Sequence, residues 1–271
     1  PANYSIPGEF EERVFIALTK IMKNNNYSRS FVVSANEILE TLGLSNKAYY
    51  KRIREALTLL SKTNYTFLNS LYSNKESGII EKKIMSNIMN ITIISKKDSR
   101  AKEIEAFEDG RIKEVYEINF TDYFYENIIR KGYLAFDSGK LLAIENSVSR
   151  AIYTIVEKWR GYDLYIKRQA FFIARRIPLK WDKTQIKRTI DTMEKALIEL
   201  KNLNLIKDYK IIKEKKWELA EIEITYEESH NKTKRDTFFT EKNEFNSMDM
   251  LVTSTEEKIK CISEDFQSGE I

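Results

Sequence analysis

The stretch that decides the fold is 182–226, which reads DKTQIKRTIDTMEKALIELKNLNLIKDYKIIKEKKWELAEIEITY. Its first half carries apolar residues at intervals of four, three, four and three, which predict an amphipathic helix: Ile186, Ile190, Met193, Leu197 and Leu200. Asp182, with Gln185 three positions later, predicts an N-cap for this helix. Two predicted strands, 205–213 and 217–226, then flank a Lys-Glu-Lys-Lys turn. A capped helix followed by a hairpin is the second part of a winged helix-turn-helix.

The residues before this stretch complete the motif. Residues 149–159 have apolar side chains at helical spacing, and 166–176 are predicted to form a short helix that ends before Pro178. The first half of the chain repeats the same order. It is predicted to form helices over 9–23, from the capping box at Ser34 to Gly43, and over 44–60, followed by strands over 65–72, 84–94 and 115–120.

The two halves also match at the level of sequence. Residues 55–60 align with 195–200 at an offset of 140, and Asn64 then falls on Asn204. We therefore predict an α+β protein built from two tandem winged helix-turn-helix domains with β-hairpin wings. The predicted units are a first domain at 1–137, a second domain at 138–228, and an acidic, flexible tail at 229–271 with one short helix near 255–262. An unrelated α+β fold without duplication is the alternative.

The charge of the chain is unevenly distributed. Its 45 Lys and Arg exceed its 41 Asp and Glu by four. Residues 158–188 hold ten bases and two acids, whereas 227–271 hold eleven acids and six bases. A basic field of this kind suits a polyanion such as nucleic acid, although solvated Lys-rich surfaces are common.

The counts of two residue types exclude several classes of protein. With one Cys and one His in the chain, a disulfide framework and a zinc finger are both excluded. The apolar runs are too short for a membrane span, and the first residues show no export pattern. We therefore expect a cytoplasmic protein with no membrane contact.

Both predicted third helices gather their bases at the start and their acids later. The helix macrodipole favours the opposite order, so this pattern indicates that an anion such as a DNA phosphate docks there. Chance placement in a Lys-rich protein is the alternative. The predicted DNA contacts are Asn46, Lys47, Tyr50, Lys51 and Arg54 on the first helix; Lys183, Thr184, Gln185, Lys187 and Arg188 on the second; Arg175, Arg176 and Lys180 between the helices of the second motif; and Lys213, Lys215 and Lys216 on the wing.

The sequence offers little for catalysis. It has neither a phosphate-cradling GxxxxGK[ST] loop nor a GxGxxG motif. His230 and Cys261 both lie in the predicted tail. Glu221 and Glu223 share one strand face and suit a carboxylate pair, but alternating charges on an exposed strand explain them equally well. We expect no enzyme, no catalytic residues, no metal and no cofactor; a tyrosine-dependent DNA nickase is the enzymatic alternative.

One further set of motifs comprises Gly8 to Phe15, the helix at 45–60, Asn119 to Phe124, Gly132-Tyr133-Leu134, Asp137, Leu141-Leu142 and Ser149-Arg150-Ala151-Ile152-Tyr153. These motifs resemble plasmid replication initiator proteins of the replication initiator protein A type. The resemblance covers about 8–226. It implies tandem winged helices that bind repeated origin sequences in double-stranded DNA, open the origin, recruit a host replicative helicase or initiator, and exchange between homodimer and monomer.

The resemblance also implies a division of labour between the two motifs. The second recognition helix, with Lys183, Gln185, Lys187 and Arg188, would read the repeat. The first helix, with Lys47, Lys51 and Arg54, would hold phosphates or mediate dimer contacts. The family pattern does not account for the acidic tail. A transcriptional repressor on the same scaffold and a pure protein-interaction module are the alternative functions.

Overall fold

The computed structural model describes residues 6–68, 72–73, 78–79, 83–108, 110–129, 137–177, 179–213 and 216–232. The short helix predicted near 255–262, Lys215 of the wing and the Gly132-Tyr133-Leu134 motif lie outside these residues. Within the described part of the chain, every helix falls short of the length and apolar character that a bilayer crossing requires.

The first domain begins with three helices and continues into strands. Its elements are α1 (Glu9–Asn24), β1 (Ser30–Ser34), α2 (Ala35–Thr41), α3 (Tyr49–Lys62), β2 (Tyr65–Leu68), β3 (Tyr72–Ser73), β4 (Gly78–Ile79), β5 (Lys83–Ser86), β6 (Met89–Ser95), β7 (Glu114–Phe120) and α4 (Asp122–Ile129). Helix α1 packs on α2 and α3. Two short 3₁₀ helices, Ser99–Glu103 and Glu105–Glu108, lie in the loop between β6 and β7.

The second domain follows the same order of elements. Helix α5 (Ser138–Ala143) packs on α1 and precedes this domain. The second domain contains α6 (Ser147–Arg160), β8 (Tyr165–Gln169), α7 (Ala170–Arg176), α8 (Ile186–Asn202), β9 (Asp208–Ile212), a 3₁₀ turn (Trp217–Leu219) and β10 (Glu221–Thr225). Residues 228–232 form a further helical turn. Helix α8 packs on α6, as α3 packs on α1.

The sheets of the two domains have the same topology. The first has the antiparallel strand order β1-β7-β6, and the second has the order β8-β10-β9. In each, the strand before the second helix lies at one edge and the last strand lies in the centre. The predicted α+β fold of two tandem winged helix-turn-helix domains with hairpin wings is confirmed.

The apolar periodicity of the sequence accounts for the packing. The stripe predicted on α8 is buried, with Met193 and Leu197 completely enclosed, because residues three and four apart share one face of a helix. Ser34 caps α2 by accepting a bond from the Glu37 amide at 3.2 Å, as predicted. The two main buried clusters meet between Leu142 and Ile144, a few residues after the boundary predicted at 137.

The structure corrects the predicted starts of both third helices. Helix α3 begins at Tyr49 rather than at 44–46, because the Asn46 side chain accepts a bond from the Ala48 amide at 2.9 Å and forms a turn instead. Helix α8 begins at Ile186, and its N-terminus has no side-chain cap. Asp182, predicted to cap this helix, caps the preceding turn by accepting a bond from the Thr184 amide at 2.9 Å.

The segment 166–176, predicted to be one helix, is divided between strand β8 and helix α7. Strand β8 pairs with the central strand β10, with Ile166 opposite Ile224. The pairing overrides the apolar pattern, since a five-residue segment is too short for its periodicity to distinguish strand from helix. The equivalent strand β1 of the first domain was also not predicted.

A buried cluster fastens the C-terminal end of the second domain. The Arg160 guanidinium binds the Glu157 carboxylate through two bonds of 2.7 and 2.9 Å. It also donates to the Asn231 side chain at 2.7 Å and lies 3.9 Å from the centre of the Tyr226 ring. The predicted tail therefore does not begin at 229, because Asn231 is buried in this cluster and the His230 ring packs edge-on against Tyr226.

Candidate nucleic-acid interface

The start of α8 is exposed on one face and buried on the other. Lys187 and Arg188 point to solvent, whereas Ile186 and Ile190 lie in the core. The first turn contains no acid, and no side chain caps it. Its first amides are therefore open to an anionic group, which the helix dipole attracts.

The turn before α8 holds three further predicted contacts in place. The Asp182 carboxylate accepts bonds from the Thr184 amide at 2.9 Å and from its hydroxyl at 2.7 Å. The bond from the Thr184 hydroxyl lowers the pKa of Asp182 below its ordinary value, so the carboxylate stays ionised. The Thr189 hydroxyl on α8 donates to the Lys180 carbonyl at 3.0 Å. These bonds fix the backbone of the turn. Its exposed side chains are Lys183, Thr184 and Gln185.

Aromatic side chains contact several of the predicted DNA-binding residues and their neighbours. The Phe171 ring on α7 meets the Trp181 ring edge-on at 5.5 Å, and the Arg175 guanidinium lies 5.4 Å from the centre of the Phe171 ring. Helices α7 and α8 both contact the 3₁₀ turn that begins at Trp217. The Lys213 ammonium lies 4.7 Å from the Trp217 ring, a cation–π distance. These contacts join α7, the turn before α8 and the base of the wing.

Most cations of this surface have no acidic partner among the residues that the structure describes. Within that part of the chain, no ion pair involves the exposed side chains of Arg175, Arg176, Lys183, Lys187, Arg188, Lys213 or Lys216. Lys180 is the exception, since its ammonium lies 3.6 Å from the Asp182 carboxylate. Unpaired cations bind phosphates without first breaking an internal contact.

The predicted contacts of the first domain are more nearly neutralised. Arg54 pairs with Glu114 of β7 at 3.3 Å, and the Lys51 ammonium lies 3.9 Å from the Glu55 carboxylate one turn later. Lys47 and Asn46 are exposed in the turn before α3.

The structure gives Tyr50 a packing role. Its hydroxyl donates to the Asn36 side chain at 2.8 Å and thereby joins α3 to α2. The ring is half-buried, and its contact with DNA stays a prediction.

Sequence reasoning missed the residues that brace this surface. Trp181, Trp217 and Thr189 position the predicted contacts without being contacts themselves. The aromatic residue directly before Asp182 was the available signal, because a large ring beside a turn is usually packed.

The carboxylate pair considered for catalysis is paired with a cation. The Lys167 ammonium binds Glu221 at 2.8 Å and Glu223 at 3.5 Å across neighbouring strands. The bond to Glu221 raises the pKa of Lys167, so this lysine stays charged. Among the residues that the structure describes, no cluster of three His, Cys, Asp or Glu side chains is arranged to hold a metal ion.

Solved structures share this fold. Domains 2 and 3 of RctB superpose with a TM-score of 0.52 at 13% identity, over 83% of this chain and 84% of that chain. The Pi initiator protein, in complex with iteron DNA, superposes with a TM-score of 0.51 at 15% identity, over 83% of this chain and 93% of that chain. No protein-family model matches this chain, and no curated protein matches it in sequence. These likenesses establish the shared fold over about four fifths of the chain.

Proposed function

We propose that this protein binds double-stranded DNA sequence-specifically at repeated origin sites and thereby initiates plasmid replication without a covalent step. The observation that carries the proposal is the start of α8, where exposed and unpaired Lys183, Lys187 and Arg188 stand over an uncapped helix end. A structural neighbour of similar fold has been solved in complex with iteron DNA, which supports DNA as the ligand and replication initiation as the role.

The two winged helices divide the task in this proposal. Helix α8 lies in a major groove, where Gln185 and Arg188 read base edges and Lys187 holds a phosphate. Helix α3 contributes mainly backbone contacts, because Lys51 and Arg54 already have acidic neighbours. Lys213 and Lys216, at the two described ends of the wing loop, contact the adjacent backbone. Two such helices on one chain span about two helical turns of DNA.

Selection of duplexes from a random pool tests this function. We expect the recovered sequences to share a motif of about two helical turns, and repeats of that motif to maintain a replicon that lacks its own initiator when this chain is supplied. A shared motif without replicon maintenance would identify a repressor instead. Recovery of no shared motif and no salt-sensitive binding would refute the DNA-binding function altogether.

Replacing Arg188 by Ala is expected to cost about 1–3 kcal/mol of binding to the selected duplex, because a bidentate contact to a guanine edge is lost. Preference at one base position should relax at the same time. Fluorescence anisotropy with specific and random duplexes measures both. Lys195→Ala is the matched control, since Lys195 is an exposed base two turns later on the same helix. Equal losses on specific and random DNA would remove Arg188 from base readout.

Lys213→Ala should weaken binding to all duplexes alike. Each phosphate contact releases counterions, so its loss should flatten the slope of log K against log salt by about 0.9. Titrations at several salt concentrations give this slope. Lys201→Ala removes the same charge from the opposite end of α8, where Lys201 pairs with Asp208 at 2.8 Å, and should leave the slope unchanged. A sequence-dependent loss in Lys213→Ala would contradict a pure backbone contact.

A further inference from the structure

A buried arginine that the DNA-binding surface does not use joins the two domains. Arg150 lies on α6 of the second domain, and its side chain is 1% exposed. Its guanidinium donates to the Glu12 carboxylate at 2.9 and 3.2 Å, and the Glu9 carboxylate lies 3.7 Å away. Glu9 and Glu12 occupy the first turn of α1, in the first domain. A charge removed from water in this way is stable only while its partners hold it.

The same guanidinium also binds the connector between the domains, residues 144–146, which precedes α6. Its second terminal nitrogen donates to the Ile144 carbonyl at 2.6 Å and to the Glu145 carbonyl at 3.0 Å. The Arg150 side chain therefore joins α6 both to the first domain and to the connector.

The connector is tied in turn to the DNA-binding helix of the second domain. Glu199 on α8 accepts bonds from the Glu145 amide at 2.7 Å and from the Asn146 amide at 3.2 Å. The Ser149 hydroxyl donates to its other carboxylate oxygen. Since α1 packs on α3, a continuous set of contacts runs from α3 through α1, Arg150, the connector and Glu199 to α8.

Apolar packing alone does not close this junction. A cleft of about 480 Å³ remains between the domains, lined by Phe15 and Leu60 on one side, by Ser147 and Ala151 on the other, and by the Glu9 and Glu12 side chains. Domains of one chain move relative to each other unless a large apolar interface holds them. The charged contact at Arg150 therefore adds a second constraint to that of α5, which packs on α1 and leads into the connector.

We propose that Arg150, Glu9 and Glu12 form a positioning latch that fixes the separation of α3 and α8 and so selects the spacing of the two DNA segments that the protein accepts. This inference rests on the proposed DNA-binding function. Two linked contacts reinforce each other only when the geometry lets both form at once. A chain with a held junction accepts one spacing, whereas a chain with a loose junction accepts several at lower affinity.

The test uses Glu12→Ala in the full chain. Glu12 is 43% exposed, and in this variant the Ile144 and Glu145 carbonyls still accept bonds from the Arg150 guanidinium, so Arg150 keeps part of its binding set. The control is Glu11→Gln in the same helical turn, because the Glu11 carboxylate bonds the Gly8 amide at 2.8 Å and a glutamine preserves that cap. The probes are the selected duplex, variants of it with one to five base pairs inserted between its two contacted segments, and each segment alone.

The parent and Glu11→Gln should bind one spacing best and lose affinity steeply at the others. Glu12→Ala should bind the optimal spacing ~10-fold more weakly, with a profile flattened across the inserts and with unchanged affinity for each single segment. An unchanged profile in Glu12→Ala would overturn the latch while leaving the DNA-binding function in place.

A second measurement tests the latch without DNA. Spin labels at Lys62→Cys on α3 and Lys195→Cys on α8, in a Cys261→Ser background, report the distance between the domains. Both labelled positions are exposed. We expect one narrow distance distribution in the parent and a broadened one in Glu12→Ala. If the parent and Glu12→Ala gave identical distance distributions, the latch would be refuted, whether or not the protein binds DNA. If Glu12→Ala gave a broadened distribution and the parent bound no duplex, only the proposed DNA-binding function would be refuted.

Discussion

Replacing both Lys187 and Arg188 by Glu is expected to weaken binding to the selected duplex by ~30-fold to 10⁴-fold, since two contacts of about 1–3 kcal/mol each are lost. The stability of the fold should not fall. Both side chains are exposed and unpaired, and acids in the first turn of a helix interact favourably with its dipole. Binding and stability should therefore respond independently, which anisotropy and thermal unfolding measure on the same sample.

The matched control carries the same change in net charge at other places. Lys158→Glu with Lys195→Glu alters two exposed bases of the second domain, away from the start of α8. It should lower affinity only through the overall field, and less so as salt screens that field. Equal losses in the two double variants would mean that α8 does not enter the groove.

Replacing Glu157 by Ala is expected to destabilise the protein by about 3–5 kcal/mol, because the Arg160 guanidinium is left charged and buried without its carboxylate. The two side chains are 7% and 1% exposed, respectively. Their contact is bidentate, and Arg160 also holds Asn231 and the Tyr226 ring. Urea unfolding followed by circular dichroism gives the free energy of unfolding.

Two variants separate this mechanism from a general loss of packing. Lys158→Ala, at the next and exposed position, should change stability by less than about 0.5 kcal/mol. The double variant Glu157→Leu with Arg160→Met should recover part of the loss, because it removes the buried charge together with its partner. A Glu157→Ala protein as stable as the parent would show that Arg160 finds sufficient compensation in Asn231 and the Asp163 carbonyl.

The amino-acid pattern predicted helices well where they were long and periodic. The apolar stripe of α8 and the bounds of β7 and β9 were close to those observed. Strands β1 and β8 were missed because neither lies beside a turn that predicts a hairpin, and each pairs with a strand that is distant along the chain. Both third helices begin later than predicted, since Asn46 and Asp182 bond to amides two residues on and form turns.

The sequence predicted where the basic residues of the candidate site lie, but not which of them have acidic partners. The sequence placed bases at the start of both third helices alike, and exposure is observed for Lys47 and Lys183. It did not indicate that Arg54 faces Glu114 of β7, sixty residues away, or that Tyr50 bonds Asn36. These contacts depend on how strands and helices pack, so the difference between a neutralised α3 and an unpaired α8 emerges only in three dimensions.

The sequence by itself determined the architecture of this protein, because the periods of apolar residues, the capping residues and the duplicated order of elements are local properties of the chain. It also determined where positive charge concentrates. Only the tertiary structure decided which of those charges remain unpaired and how the two domains are joined. Arg150 and Glu12 are 138 residues apart in the chain, and Arg160 and Asn231 are 71 residues apart. Contacts over such separations follow from packing, which no local pattern of residues encodes.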